Sequence, residues 1–141
     1  MARRIDTKLE GLVLVEPDVH GDDRGFFVET FSLDAWKEMG VDADFVQHNH
    51  SRSGNGILRG LHFQTSPGQA KLIRCPRGSI FDVADVTYLV SSLYDPETEA
   101  GIRWNDPEVG VEWPVAEPQL SARDEVAPLL GEVAAGLPFN Y

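Results

Sequence analysis

A chain of 141 residues is about one average domain long, and 42% hydrophobic with 25% charged residues is the balance of a folded protein, not of a disordered tail. Twelve Lys and Arg against 23 Asp and Glu leave a net charge of −11, which argues against nucleic acid and anionic membrane as main partners, because no general cationic field draws in phosphates. The single cysteine, Cys75, excludes an intrachain disulfide and a Cys-based zinc site, and no window approaches the roughly 20 apolar residues that span a bilayer.

The basic start Met1-Ala2-Arg3-Arg4 runs into Ile5-Asp6-Thr7-Lys8-Leu9-Glu10, which interrupts any signal-peptide core, so a soluble cytoplasmic protein is expected. Leu12 to Val15 reads as a strand, His20 to Gly25 as a turn cluster and Phe26 to Phe31 as the next strand. Ser32 is a good N-cap for a short helix through Ala35, Trp36 and Met39, with Gly40 as its stop. Strands follow at Phe45 to Ser51, Ile57 to Gln64, Lys71 to Cys75 and Ile80 to Val90, the last long enough for one strand or two. Beyond Tyr94-Asp95-Pro96 come extended pieces at Ile102 to Trp104, Val111 to Pro114 and Pro118 to Leu120, with a weak helix near Glu125 to Ala134. Many short strands between frequent turns predict an all-β sandwich or barrel, and no repeat or linker divides residues 1–141 into more than one domain.

The densest polar and aromatic stretches are Phe45 to Ser53 and Leu58 to Gln64. On a strand, Gln47 and Asn49 share one face and His48 and His50 the other. Arg59 and His62 have opposite parity, so both serve one pocket only if the strand bulges, which is cheapest at Gly60. Arg24, Arg59 and Lys71 are candidate local anion binders, since a guanidinium fork matches a diphosphate, although a single Arg is more often a solvated or ion-paired surface residue. His62, between Leu61 and Phe63, suits proton abstraction if a carboxylate orients its ring, although an isolated histidine there is more often structural than catalytic. His48-Asn49-His50 offers two metal ligands but no third or fourth at a fitting spacing, and Cys75, beside Leu72 and Ile73, reads as a buried small hydrophobe.

Asp23 to Phe31, Phe45 to Ser53, Leu58 to Gln64, Gly68 to Arg74, Tyr94 to Glu99, Gly101 to Pro107 and Leu120 to Asp124, in this order, resemble the dTDP-4-dehydrorhamnose 3,5-epimerase family. His48 departs from the Asp usual there. The resemblance implies a cupin-like jelly roll, shortened here, with one or two short helices, acting as a homodimer on a dTDP-sugar without cofactor or metal. It implies His62 as general base, Asp124 as the carboxylate that orients it, Tyr88 as the acid on the opposite sugar face and Lys71 as the cation beside the enolate oxygen. It implies Arg24 and Arg59 as diphosphate ligands, and Phe27, Glu29, Gln47 and Asn49 around nucleotide and sugar.

The chain departs from the family most at Ser79 to Tyr88. Members of the family carry several further strands between the Phe-Asp-Val-Ala strand and the tyrosine segment, with a Pro-x-Gly-Phe-Ala-His-Gly-Phe motif that supplies another histidine. Here the two strands run together, and the four histidines are His20, His48, His50 and His62. Exposed sheet edges and uncovered Ile80, Phe81 and Val83 are expected, to be covered by a second copy. The alternatives are a shortened relative that binds a nucleotide sugar or dimerises without catalysis, and a small metal-using cupin.

Overall fold

A computed structural model describes residues 2–79 and 84–138, and its strands pair antiparallel in four small sheets. The chain divides into two compact units, residues 1–44 and 45–141.

In the N-terminal unit, β1 (Arg3–Ile5) pairs with β2 (Leu14–Glu16), and β3 (Val19–Asp22) with β4 (Gly25–Val28). The turn between β3 and β4 is shorter than the sequence suggests. Asp22 accepts the Arg24 N–H at 2.9 Å and Gly25 adopts φ +130°, so His20 and Gly21 are free to stay in the strand. Helix α1 (Leu33–Glu38) starts where Ser32 predicts, although the Ser32 hydroxyl caps nothing and its carbonyl begins the helix. Gly40 ends it at φ +94°, and Trp36 is buried with its ring centroid 5.9 Å from that of Phe31.

In the C-terminal unit, β5 (Gln47–Ser53), β8 (Ala84–Val90) and β7 (Lys71–Gly78) form a sheet with β8 at its centre, and β6 (His62–Gln64) pairs with β9 (Glu99–Gly101). Gln47, Val90 and Lys71 form one cross-strand row, and Asn49, Tyr88 and Ile73 the next, so these residues share a face. Along β5 the odd positions are half-buried while His48, His50 and Arg52 are exposed, the expected period of two. Val90, Ala84, Ile102 and Ala127 are the buried apolar residues described in this unit.

Several expectations are corrected. The strand foreseen over Ile57 to Gln64 is confined to β6; Gly60 sits at φ +139° and breaks it where a bulge was expected, and Ile57 forms a single parallel bridge to Gln119. The helix foreseen over Glu125 to Ala134 is split into α2 (Ala122–Glu125) and α3 (Leu130–Val133), followed by a 3-10 turn at Ala134–Gly136. Pro128 lies between the two, and its missing N–H and its clash with the preceding turn account for the gap. Ile102 to Trp104 and Val111 to Pro114 are loops, tied together by the Trp113 indole N–H donating to the Trp104 carbonyl at 2.8 Å. Cys75 is half-buried, not buried. Ile80 to Val83 lie outside the described residues. Among those described, no helix is long and apolar enough to cross a membrane.

Candidate active site

Five of the residues singled out by sequence line one cavity of about 340 Å³ in the C-terminal unit: Gln47, Asn49, His62, Lys71 and Tyr88. Strand pairing explains how. Gln47 and Asn49 on β5, Tyr88 on β8 and Lys71 on β7 come from adjacent rows of one sheet face. His62 comes from β6, which starts just past Gly60.

Asp124, buried on α2, lies 2.6 Å from His62 Nε2. Burial pushes its carboxyl up, but hydrogen bonds from His62 and Ser121 outweigh this and hold it below the ordinary carboxylate range. An ionised carboxylate only accepts, so the bond is donated by the His62 Nε2–H, and Nδ1 is the nitrogen left for a base to use. Ser121 caps α2 by accepting the Asp124 N–H at 3.2 Å, and so holds the carboxylate's own backbone.

The Lys71 ammonium donates to the His62 carbonyl at 3.1 Å. Desolvation pushes it below the usual lysine range and Glu99 pulls it back; the side chain keeps solvent contact, so the desolvation is partial. Gln47 Nε2 donates to Asn49 Oδ1 at 2.9 Å, and Gln47 Oε1 accepts the Tyr94 N–H at 3.2 Å. The Tyr88 hydroxyl forms no hydrogen bond to a described residue.

Other candidates lie elsewhere. Arg59 is exposed and donates to Ser53 Oγ at 3.0 Å, outside the cavity lining. Arg24, Phe27 and Glu29 lie on or just beyond the β3–β4 hairpin of the N-terminal unit, where Arg24 pairs with Asp22 and Phe27 is 70% exposed. His48 and His50 lie on the face of β5 opposite Gln47 and Asn49, and His50 approaches Asp85 at 3.4 Å. Among the described residues no three of His, Cys, Asp and Glu gather as a metal site.

Sequence reasoning missed the cavity's other polar wall, Gln64, Gln69, Tyr94 and Glu99. Glu99 lies opposite Gln64 across β6–β9, accepts the Tyr94 hydroxyl at 3.0 Å and pairs with Arg123. Buried Gln64 donates to the Asp95 carbonyl at 3.2 Å and ties the Tyr94 to Thr98 turn to β6. The signal was present in Tyr94-Asp95-Pro96-Glu97-Thr98-Glu99, whose carboxylates alone do not say which one faces a base.

Comparison with known proteins agrees with this arrangement. The family model described as dTDP-4-dehydrorhamnose 3,5-epimerase matches residues 6–85 and 82–132, two stretches that share Asp82 to Asp85. The dTDP-4-dehydrorhamnose 3,5-epimerase of Methanothermobacter thermautotrophicus is 36% identical over 156 aligned positions, 80% of this chain and 84% of that protein. That of Salmonella typhimurium is 34% identical over 174 positions, 91% of this chain and 95% of that protein. Both alignments are longer than the 141 residues of this chain, so the relatives carry residues that it lacks. The crystal structure of the dTDP-6-deoxy-D-glucose-3,5-epimerase of Legionella pneumophila, solved with dTDP-4-keto-L-rhamnose, superposes with a TM-score of 0.90 at 30% identity, over 100% of both chains. The fold is thus the all-β, cupin-like one of these enzymes, and the chain belongs to the dTDP-4-dehydrorhamnose 3,5-epimerase family.

Proposed function

We propose that this chain epimerises a dTDP-4-dehydro-6-deoxyhexose at the carbons flanking its C4 ketone, in the formation of dTDP-rhamnose or a related deoxysugar. The observation that carries the reading is the oriented pair His62–Asp124 facing a cavity that also holds Lys71 and Tyr88. His62 takes the proton from C3 or C5, and the electron pair of that C–H bond moves to the ketone oxygen as an enolate. The Lys71 ammonium stabilises the oxygen's charge, and the Tyr88 hydroxyl returns a proton to the opposite face of the same carbon. Solvent then restores the proton on Tyr88 and removes the one on His62. No other bond changes, so the cycle needs no co-reactant, cofactor or metal.

Arg24 and Arg59 are proposed for the diphosphate. Each has one described partner, Asp22 and Ser53, and a guanidinium otherwise open to solvent. Phe27 on β4 and Glu29 just past it, in the N-terminal unit, are proposed for the nucleotide, and a homodimer in the cytoplasm is the proposed state. The half-buried free thiol of Cys75 fits a reducing compartment. A second reading is binding without turnover, favoured by the residues that the relatives carry and this chain lacks.

The test is solvent deuterium exchange into the dTDP-sugar. The wild-type chain is expected to exchange, and His62→Asn to lose about two to four orders of magnitude in rate while still binding dTDP. Wild-type binding without exchange establishes the second reading, and exchange at full rate in the variant removes His62 as base.

A further inference from the structure

The short helix α2 does more than carry Asp124. It has four residues, too few to hold its shape alone. From adjacent positions it sends one side chain to each strand of the β6–β9 pair. Asp124 meets His62 on β6 at 2.6 Å, and Arg123 meets Glu99 on β9. The Arg123 contact is two-pronged: Nη1 pairs with Glu99 Oε2, and Nη2 donates to the Glu99 carbonyl at 3.3 Å. The two strands are themselves in register, His62 opposite Gly101 and Gln64 opposite Glu99. Arg123 does not line the cavity; it reaches the site through Glu99 and Tyr94, which do. The Glu99 side chain is 14% exposed, and hydrogen bonds from Arg123 and Tyr94 overcome its burial and keep it below the ordinary carboxylate range, so charge as well as shape fastens the pair.

We propose that Arg123 is a positioning residue: by gripping Glu99 on β9 it fixes the turn of helix whose next residue, Asp124, orients His62. The proposal rests on the epimerase reading for its rate measurement alone. Without Arg123, Asp124 keeps the Ser121 cap, the His62 contact and a hydrogen bond from the Gly60 backbone, but α2 loses its tie to β9, and the carboxylate's aim at His62 loosens. A misplacement of about an ångström at an oriented base costs up to about 10²-fold in rate.

The experiment compares wild type with Arg123→Gln, Arg123→Lys and Glu99→Gln by proton NMR of the His62 ring N–H and by deuterium exchange. In wild type the short bond to Asp124 is expected to give a strongly deshielded, slowly exchanging proton. Arg123→Gln is expected to lose that resonance, Arg123→Lys to recover it in large part, and Glu99→Gln to lose it from the other side of the same contact. In exchange, Arg123→Gln is expected to lose about 10- to 100-fold in kcat with KM little changed. It is expected to add nothing to Asp124→Asn in the double variant, as for residues that act as one unit. An unaltered resonance in Arg123→Gln overturns the proposal; if that chain fails to fold, an unaltered resonance in Glu99→Gln does so. A raised KM at constant kcat also overturns it, by making Arg123 a substrate contact. A wild-type chain that shows the resonance but exchanges no deuterium fails the epimerase reading alone and leaves this proposal to the NMR result.

Discussion

At the residue scale the site depends on which nitrogen of His62 carries the proton. Asp124 fixes that proton on Nε2 only while it is ionised and acceptor-only. Asp124→Asn offers an amide that donates as readily as it accepts, so the ring is free to turn its protonated nitrogen toward the cavity. The expected result is a loss of about 10²–10⁴ in kcat/KM for deuterium exchange, with dTDP affinity retained in calorimetry. The diphosphate residues predict the reverse pattern. Arg24→Ala and Arg59→Ala are each expected to weaken dTDP binding by about tenfold or more, since a charge-assisted bond to phosphate is lost. Unchanged affinity in both variants would place the nucleotide elsewhere.

At the element scale, the sheet β5–β8–β7 presents two unlike faces, and the outer one gives a pH test. Asp85 accepts from Arg52 at 2.6 and 2.8 Å and has His50 at 3.4 Å, which together lower its pKa from 3.8 to about 2. A carboxyl depressed on folding stabilises the native state above its ordinary value and loses that contribution as pH falls through the folded one. The urea midpoints of wild type and Asp85→Asn are therefore expected to differ most at neutral pH and to converge between 3.8 and about 2. A gap constant over that window would mean that the Arg52 contact contributes nothing. On the site's side, Gly101 faces His62 so closely that an added Cβ would meet the Leu61 carbonyl at 3.0 Å. Gly101→Ala is expected to cost roughly 1–3 kcal/mol by overpacking and to slow exchange by prising β6 from β9.

These elements also show how far the sequence reaches. Parity along Gln47 to Ser53 was legible, because a half-buried strand writes its period of two directly into the chain. The helix after Ser32 was legible from that residue and from its stop, Gly40, although the Ser32 hydroxyl makes no capping bond. The break at Gly60 was not, since a glycine between Arg59 and Leu61 is equally compatible with a bulge and with a positive-φ break. Nor was the Glu99–Arg123 pair, which joins strand and helix 24 residues apart and exists only once β9 has paired with β6.

At the scale of the whole molecule, each unit leaves apolar surface open. In the N-terminal unit, Phe26 and Phe27 are 71% and 70% exposed, with Val19 at 62% and Leu9 at 68%. Trp36 is the buried apolar residue described there, so two strand pairs and a six-residue helix rest on little core. Isolated two-stranded hairpins are marginal in water, and exposed aromatics on one are most cheaply covered by another copy of the chain. In the C-terminal unit, Ile73 on β7 and Leu93 stay 55% and 67% exposed. The relatives carry residues beyond this chain's length, and surface those residues would meet must here be met by association or left in water. The chain is therefore expected to sediment as a dimer or larger at micromolar concentration, and to melt below the family's longer members. Phe26→Ser is expected to weaken self-association by tenfold or more, as loss of a buried aromatic anchor does, on the order of 1.4 kcal/mol or above. A wild-type chain that sediments as a monomer, melts in one sharp transition and still turns over the dTDP-sugar at the rate of a longer relative would show that its own sheets need no second copy.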